Sequence, residues 1–161
     1  MSTSRAKEKA SYLSQIADKF IQVRRFDKAK VAIDAIDLPQ ARAEKLGDLA
    51  GAIIITSQHD KAISILAQAQ TLSDTAEHYP HDRNREFALA NIAQRYAEVG
   101  EREQSVLLFK RILEFERDSG DNLSGFDQLE TVGFYYERSG LGPDPRITAS
   151  LRKIIEDWSE N

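Results

Sequence analysis

The chain has 161 residues, a formal net charge of -4, no cysteine, and 41% hydrophobic against 30% charged residues, a composition typical of a folded globular protein. Without cysteine, disulfides, thiol nucleophiles and cysteine-ligated zinc are excluded. The acidic balance argues against non-specific binding to nucleic acid or to an anionic membrane. The amino terminus lacks the apolar core of a signal peptide, and no apolar run approaches the roughly 18 residues of a membrane span. We therefore expect a cytoplasmic protein with no nucleic-acid or membrane partner.

Apolar and small residues recur along the chain at spacings of three and four, which mark one face of a helix. Near the amino terminus they are Leu13, Ile16, Ala17, Phe20, Ala29, Ile33 and Ile36. The same spacing returns at Leu46, Leu49, Ala50, Ile53, Ala62, Leu66 and Ala69. Since prolines are rare and no alternating strand pattern stands out, each set predicts two consecutive helices packed as a hairpin, in an all-α fold.

A third and a fourth copy of this template follow. The third consists of Leu89, Ile92, Ala93, Tyr96, Ser105, Phe109 and Ile112, and Gly100 marks the elbow between its helices. The fourth has a longer elbow and consists of Leu129, Val132, Gly133, Tyr136, Ile147, Leu151 and Ile154. The sequence thus predicts eight helices in four pairs. Small residues such as Ala17, Ala50, Ala93 and Gly133 are expected to allow close approach of neighbouring helices.

The chain between the pairs is longer in two places. After the second pair, we expect the helix to continue past Leu72 and to break near Tyr79 and Pro80, with Asp82 capping the next helix. After the third pair, residues 117–127 are expected to form a loop in which Ser124 and Asp127 make a capping box.

The template resembles the tetratricopeptide repeat, which has a period of about 34 residues. Two features depart from that family: leucine replaces the opening tryptophan in every copy, and the late proline is missing, with Ala41, Asp74 and Arg117 at the matching places. The later two intervals also exceed the family's period, so related α-solenoids stay open. The resemblance implies a single domain over residues 1–161. It would be a right-handed α-solenoid of about four helix-turn-helix repeats, near residues 10–37, 43–78, 86–117 and 126–158.

In that family the first helix of each pair lines a concave surface. The matching partner-binding candidates here are Asp18, Gln22, Glu44, Asp48, Gly51, Ile54, Ile55, Phe87, Asn91, Gln94, Glu98, Glu130, Phe134 and Glu137. With Asp127, this face holds seven acids against one base, Arg138. We therefore expect it to bind a helix or an extended, basic segment of a protein partner. The alternative is that the acids simply keep the face soluble.

One known use of the family can be excluded from the residues. Its peptide-carboxylate clamp needs lysine, asparagine and arginine, whereas the matching places hold Ser14, Asp18, Asp48, Phe87 and Asn91. The expected function is that of a non-catalytic protein-binding scaffold. A self-assembly module is the first alternative, and an enzyme or an RNA-binding repeat protein is the second.

Residues suited to chemistry are sparse. His78, His81 and Asp82 lie close in sequence, but zinc usually needs three or four ligands and Pro80 interrupts any helix that would align them. The acids in residues 118–122 lack the order of an EF-hand loop. The basic cluster at Arg24 and Arg25 is best explained as a solvated elbow. We expect no catalytic residue, no metal and no cofactor.

The carboxyl end suggests an association patch. Ile155 and Trp158 lie to one side of the apolar stripe of the last helix, and no later helix follows to cover them. A homodimer formed through this end is one expectation. The other is that Trp158 folds back onto the preceding hairpin and closes the core.

Overall fold

A computed structural model describes residues 3–75, 83–119 and 122–159, with side chains except those of residues 3, 83–85, 115–119, 122–128 and 158. These residues form eight helices and no strand, which confirms the all-α prediction. The helices are α1 (Thr3–Gln22), α2 (Phe26–Asp34), α3 (Pro39–Ile54), α4 (His59–Thr75), α5 (Arg83–Glu98), α6 (Arg102–Ser119), α7 (Asn122–Arg138) and α8 (Pro145–Ser159). Among the described residues, none of these helices is both long and apolar enough to cross a membrane.

The chain divides into two compact units, Met1–Glu77 (unit 1) and His78–Asn161 (unit 2). In unit 1, α1 packs on α2 and α3 on α4, and α3 also packs on α1 and α2. In unit 2, α5 packs on α6, α7 packs on both, and α8 packs on α6. Consecutive helices therefore pack in pairs, but α8 makes its main contact with α6 rather than with α7.

The core is built from the template residues. Ala17, Leu46, Ala50 and Phe109 are almost completely buried, as are most of their counterparts. Three template residues are exposed instead: Ile16 at 46%, Leu151 at 37%, and Gly133. Ile16 lies on the first described helix and Leu151 on the last, and α8 has α6 as its main neighbour.

The four elbows share a residue with positive φ. It lies four positions after the last template residue of each pair's first helix, at Arg24, Ser57, Gly100 and Gly140. The N–H of Arg25 donates to the carbonyl of Phe20 at 2.8 Å, and the N–H of Glu101 donates to that of Tyr96 at 2.8 Å. These are bonds of a Schellman motif, which satisfies the last carbonyls of a helix. Arg24 and Ser57 therefore adopt positive φ although neither is a glycine.

The expected helix ends are partly confirmed. Helix α4 continues past Leu72, as predicted, while Tyr79, Pro80 and the proposed cap Asp82 lie outside the described residues. The capping box at Ser124 is wrong, because α7 already begins at Asn122. The loop expected there is wrong as well, since α6 and α7 take up most of residues 117–127.

The close approach predicted at Gly133 is also wrong. A Cβ placed on Gly133 would meet nothing within 4 Å. The third pair shows what close packing requires, because Ser105 of α6 donates its hydroxyl hydrogen to the carbonyl of Ala93 on α5 at 2.6 Å. The template position of Ser105 is filled by a much larger residue in the fourth pair, Ile147.

A polar network at the last elbow ties α8 to α6. Asp144 caps α8 by accepting from the N–H of Arg146 at 3.0 Å, and the Arg146 guanidinium also contacts Glu103 of α6 at 2.5 Å. Arg102 of α6 donates to the carbonyl of Leu141 at 2.6 Å. The long elbow is therefore held on the start of α6, which explains why α6 is the main neighbour of α8.

Candidate functional site

The predicted acids of unit 1 are partly neutralised by a lysine. Lys45 of α3 contacts Asp18 of α1 at 2.9 Å and Asp48 of α3 at 2.9 Å, and its side chain is only 16% exposed. Because α1 packs on α3, one ammonium group can reach both carboxylates. Lys45 was not counted among the bases of this face, so the face is less acidic than the tally of candidates suggests.

Electrostatics around Lys45 support this pairing. Burial alone would lower the pKa of Lys45, but Asp48 and Asp18 outweigh it and raise that pKa above its usual value. Burial raises the pKa of the neighbouring Glu44, against the opposing effect of Lys45. Glu44 is the least compensated acid of this group, since it is not in direct contact with the ammonium.

The other candidates of unit 1 differ in accessibility. Gly51 is buried in α3, whereas Gln22 at the end of α1 is exposed. Ile54 is half-buried, and Ile55, which follows α3, is 79% exposed. Ile55 is therefore the apolar group that unit 1 presents most openly among these candidates.

In unit 2 the polar candidates of α5 are largely used internally. Asn91 and Gln94 are buried, at 5% and 3% exposure. The amide of Gln94 donates to Glu98 at 2.5 Å, and Arg95 contacts the other carboxylate oxygen of Glu98 at 2.8 Å. The Glu98 charge is thus paired within its own helix.

Three aromatic rings, Phe87 of α5 with Phe134 and Tyr135 of α7, form what we call the aromatic cluster. The Tyr135 ring lies 5.4 Å from Phe87 and 5.4 Å from Phe134, both with edge-to-face geometry. Phe87 is 49% exposed and Phe134 is 52% exposed. The Arg138 guanidinium lies 5.2 Å from the centre of the Phe134 ring. The packing of α5 on α7 brings two predicted site residues together here.

Two acids accompany the aromatic cluster on α7. Glu130 and Glu137 are exposed, and neither forms an ion pair with another described residue. The third predicted acid of this helix, Asp127, has its side chain outside the described residues. The accessible acidity of unit 2 therefore lies on α7 rather than α5.

The described residues offer little support for a metal or catalytic site. Across the described residues no group of three or more potential metal ligands is found, and His78, His81 and Asp82 lie outside them. A 540 Å³ cleft in unit 1 includes Arg42, but this guanidinium donates to the carbonyl of Ile36 at 2.7 Å. The Arg42 side chain in that cleft is therefore already hydrogen-bonded to the backbone.

Ile155, at the carboxyl end, is 61% exposed on α8. The side chain of Trp158 is outside the described residues, so its two predicted roles remain predictions.

Comparison with protein-family models, with curated proteins and with solved structures finds no match. The geometry defines an all-α protein whose consecutive helices pack in pairs. The resemblance to the tetratricopeptide repeat rests on the template residues themselves.

Sequence reasoning missed three residues beside the predicted candidates, Lys45 in unit 1 and Arg95 and Tyr135 in unit 2. Lys45 and Arg95 each precede the acid they neutralise by three positions, Asp48 and Glu98, so helical spacing alone could have found them. Tyr135 gave no comparable signal, because its contact with Phe87 depends on how α5 packs on α7.

Proposed function

We propose that this protein is a non-catalytic scaffold that binds a basic helix or extended segment of another protein, using the exposed faces of α5 and α7 in unit 2. The observation that carries the proposal is the aromatic cluster. Phe87 and Phe134 remain about half exposed although both contact Tyr135. Single exposed apolar residues are ordinary, whereas a contiguous apolar patch suggests an interaction surface.

Aromatic anchors suit such a surface. Large rings contribute much of the energy of protein interfaces when a partner removes them from water. Here the rings are held against one another before any partner arrives, so little side-chain entropy would be lost on binding. Phe134 also carries Arg138 over its face, which limits its freedom further.

The charge around the cluster supports a basic partner. Glu130 and Glu137 are exposed and unpaired within the described residues, whereas Glu98 is already neutralised by Arg95. Exposed carboxylates at the rim of an interface mainly accelerate association with a cation, and this attraction is screened by salt. Binding should therefore weaken as ionic strength rises.

We further propose that the four helix pairs are repeats of the tetratricopeptide type. The positive φ shared by Arg24, Ser57, Gly100 and Gly140 supports this assignment. Each of the four lies four residues after the last template residue of its pair's first helix. A further departure from the family lies in the fourth pair, where Ile147 replaces the small residue of the other second helices.

The test is a comparative pull-down from the source cell with quantitative mass spectrometry. Wild type, Phe87→Ala and Phe134→Ala would be the baits, with Val31→Ala as the matched control, since Val31 is 71% exposed on α2 of unit 1. We expect both phenylalanine variants to lose the same partner, and Val31→Ala to keep it. The partner's contact segment should be basic. A partner retained by both variants, or one that contacts the protein through an acidic segment, would contradict the proposal.

Self-assembly is the second candidate, favoured by the exposure of Ile155. Sedimentation of the wild type, Ile155→Ala and Trp158→Ala would test it. A wild type that stays monomeric at high micromolar concentration would end this alternative, whereas a dimer lost in both variants would support it.

A further inference from the structure

An apolar cleft of about 150 Å³ lies between α7 and α8 in unit 2. We call it the α7–α8 cleft. Its apolar walls come from α6, α7 and α8, and include Leu113, Leu129, Val132, Gly133, Ile147 and Leu151. Tyr136, Thr148 and the elbow residues Pro143 and Asp144 complete the lining. Leu151 is 37% exposed at its rim, so the cleft is open to solvent and mainly, although not wholly, apolar.

The cleft results from two features of the fold. Gly133 contributes no side chain, and a Cβ there would meet no atom within 4 Å. Helix α8 does not fill the gap, because Asp144 and Arg146 hold its start against Glu103 of α6. The Tyr136 hydroxyl donates to the carbonyl of Gly142 at 2.7 Å, which fixes the elbow above the cleft. The opening is thus braced by hydrogen bonds on two sides.

Its size suits a single apolar side chain. Apolar cavities of roughly 150 Å³ accept a group as large as benzene. A leucine or phenylalanine side chain entering from solvent would meet aliphatic walls on α7 and α8.

The charge beside the cleft indicates what should flank that side chain. Glu130 and Glu137 lie about one helical turn before and after Gly133, on the same side of α7. Neither is paired within the described residues. A segment crossing the cleft with cations about one turn on either side of its apolar residue would match both carboxylates.

We infer that the α7–α8 cleft is the anchor point for an amphipathic helix of a protein partner. One leucine or phenylalanine of that helix enters the cleft beside Gly133, and its flanking lysines or arginines pair with Glu130 and Glu137. The inference rests on the proposed function, since the same two acids border the aromatic cluster. It adds that the bound segment is a basic helix with one apolar side chain in the cleft.

The experiment is an NMR titration of the full chain with a synthetic helical peptide. The peptide carries one central leucine with lysines one turn before and after it. One control peptide has alanine in place of the leucine, and another has glutamates in place of the lysines. We expect the shifts of Gly133, Val132 and Leu151 to change with the first peptide and with neither control.

Two variants locate the binding. Gly133→Leu fills the cleft from within and should abolish these shift changes while leaving the helical circular dichroism intact. The double variant Glu130→Gln and Glu137→Gln should weaken binding about fivefold, the value expected for two exposed ion pairs. Leu107→Ala is the matched control, because Leu107 is 46% exposed on α6 and does not line the cleft.

The outcomes separate this inference from the proposed function. Shift changes confined to Phe87 and Phe134 would overturn the cleft inference but support binding at the aromatic cluster. No change in either region at millimolar peptide would overturn the cleft inference and count against a basic helix as the partner. Equal binding of the lysine and glutamate peptides would overturn the charge assignment.

Discussion

Replacing Gly133 by alanine should stabilise the protein. Gly133 lies inside α7, its φ is not positive, and an added Cβ would project into the α7–α8 cleft without meeting an atom within 4 Å. In a helix interior alanine is favoured over glycine by about 1 kcal/mol, since glycine loses more backbone entropy on folding. We expect a gain of about 1 kcal/mol, which for a protein of this size raises the melting temperature by roughly 2–4 °C.

Urea denaturation followed by circular dichroism would measure the change, with an unchanged slope showing that the denatured state is unaffected. Two control substitutions distinguish the effect of free space around the new side chain from the effect of backbone conformation. Gly100→Ala should be destabilised by about 1 kcal/mol, because Gly100 has φ +94 and an L-residue is strained there. Ala93→Leu should be destabilised by roughly 1–3 kcal/mol, because Ala93 is buried against Ser105 and extra volume overpacks that contact.

A clear loss of stability in Gly133→Ala would refute this reasoning. It would mean that α8 packs directly on Gly133 in solution, as the family resemblance implies for a close helix pair. The α7–α8 cleft would then not exist, and the anchor inference would fall with it.

Three further perturbations test other parts of the fold. Tyr96→Ala should cost roughly 3–5 kcal/mol in urea melts, because Tyr96 is 4% exposed in the core of the third pair; a loss below about 1 kcal/mol would mean that the template register is wrong. Ser57→Gly should gain roughly 0.5 kcal/mol by relieving the positive φ of 59° at its elbow, and a loss would argue against that elbow conformation. The Arg146 side chain holds the pKa of Asp144 below 3.8, so the stability from this charge is present above that pH and is lost as pH falls through the lowered pKa. Asp144→Asn should therefore melt below the wild type at pH 7, with the difference closing as the solution is made acidic enough to protonate Asp144.

The apolar template was enough to predict the helices and most of the core. Residues such as Leu46, Ala50 and Phe109 follow helical spacing because that spacing is what a helix needs to bury one face. Ile16 follows the same spacing but is 46% exposed, since spacing reports a shared face and not whether a neighbour covers it. The elbows at Arg24 and Ser57 were harder to read, because neither residue is the glycine that usually marks positive φ.

The candidate site was predictable in outline but not in charge. The template assigned Phe87 and Phe134 to the same face, and the structure brings both against Tyr135. The number of acids was a poor measure of charge, because Lys45 in unit 1 and Arg95 in unit 2 each pair with a predicted acid and had not been counted. Long basic side chains cross from one helix face to the next, so the charge of a surface depends on side-chain reach as well as on register.

Lys45 provides a direct test of that compensation. Its ammonium bridges α1 and α3 through Asp18 and Asp48, and its side chain is 16% exposed. Lys45→Met keeps the aliphatic stem but removes the ammonium group that contacts Asp18 and Asp48 beside Glu44. We expect a loss of about 1–2 kcal/mol at pH 7, more than one exposed ion pair contributes, because two partly buried contacts are removed together.

The control for this change is Lys61→Met. Lys61 contacts Asp27 at 3.1 Å, but Asp27 is 96% exposed, and an ion pair so open to water contributes little. The Lys45→Met deficit should shrink as salt is added, because salt screens the attraction between the ammonium and the carboxylates that the substitution removes. Equal effects of the two substitutions, or a Lys45→Met deficit that is unchanged by salt, would show that Lys45 contributes through packing rather than by neutralising this face.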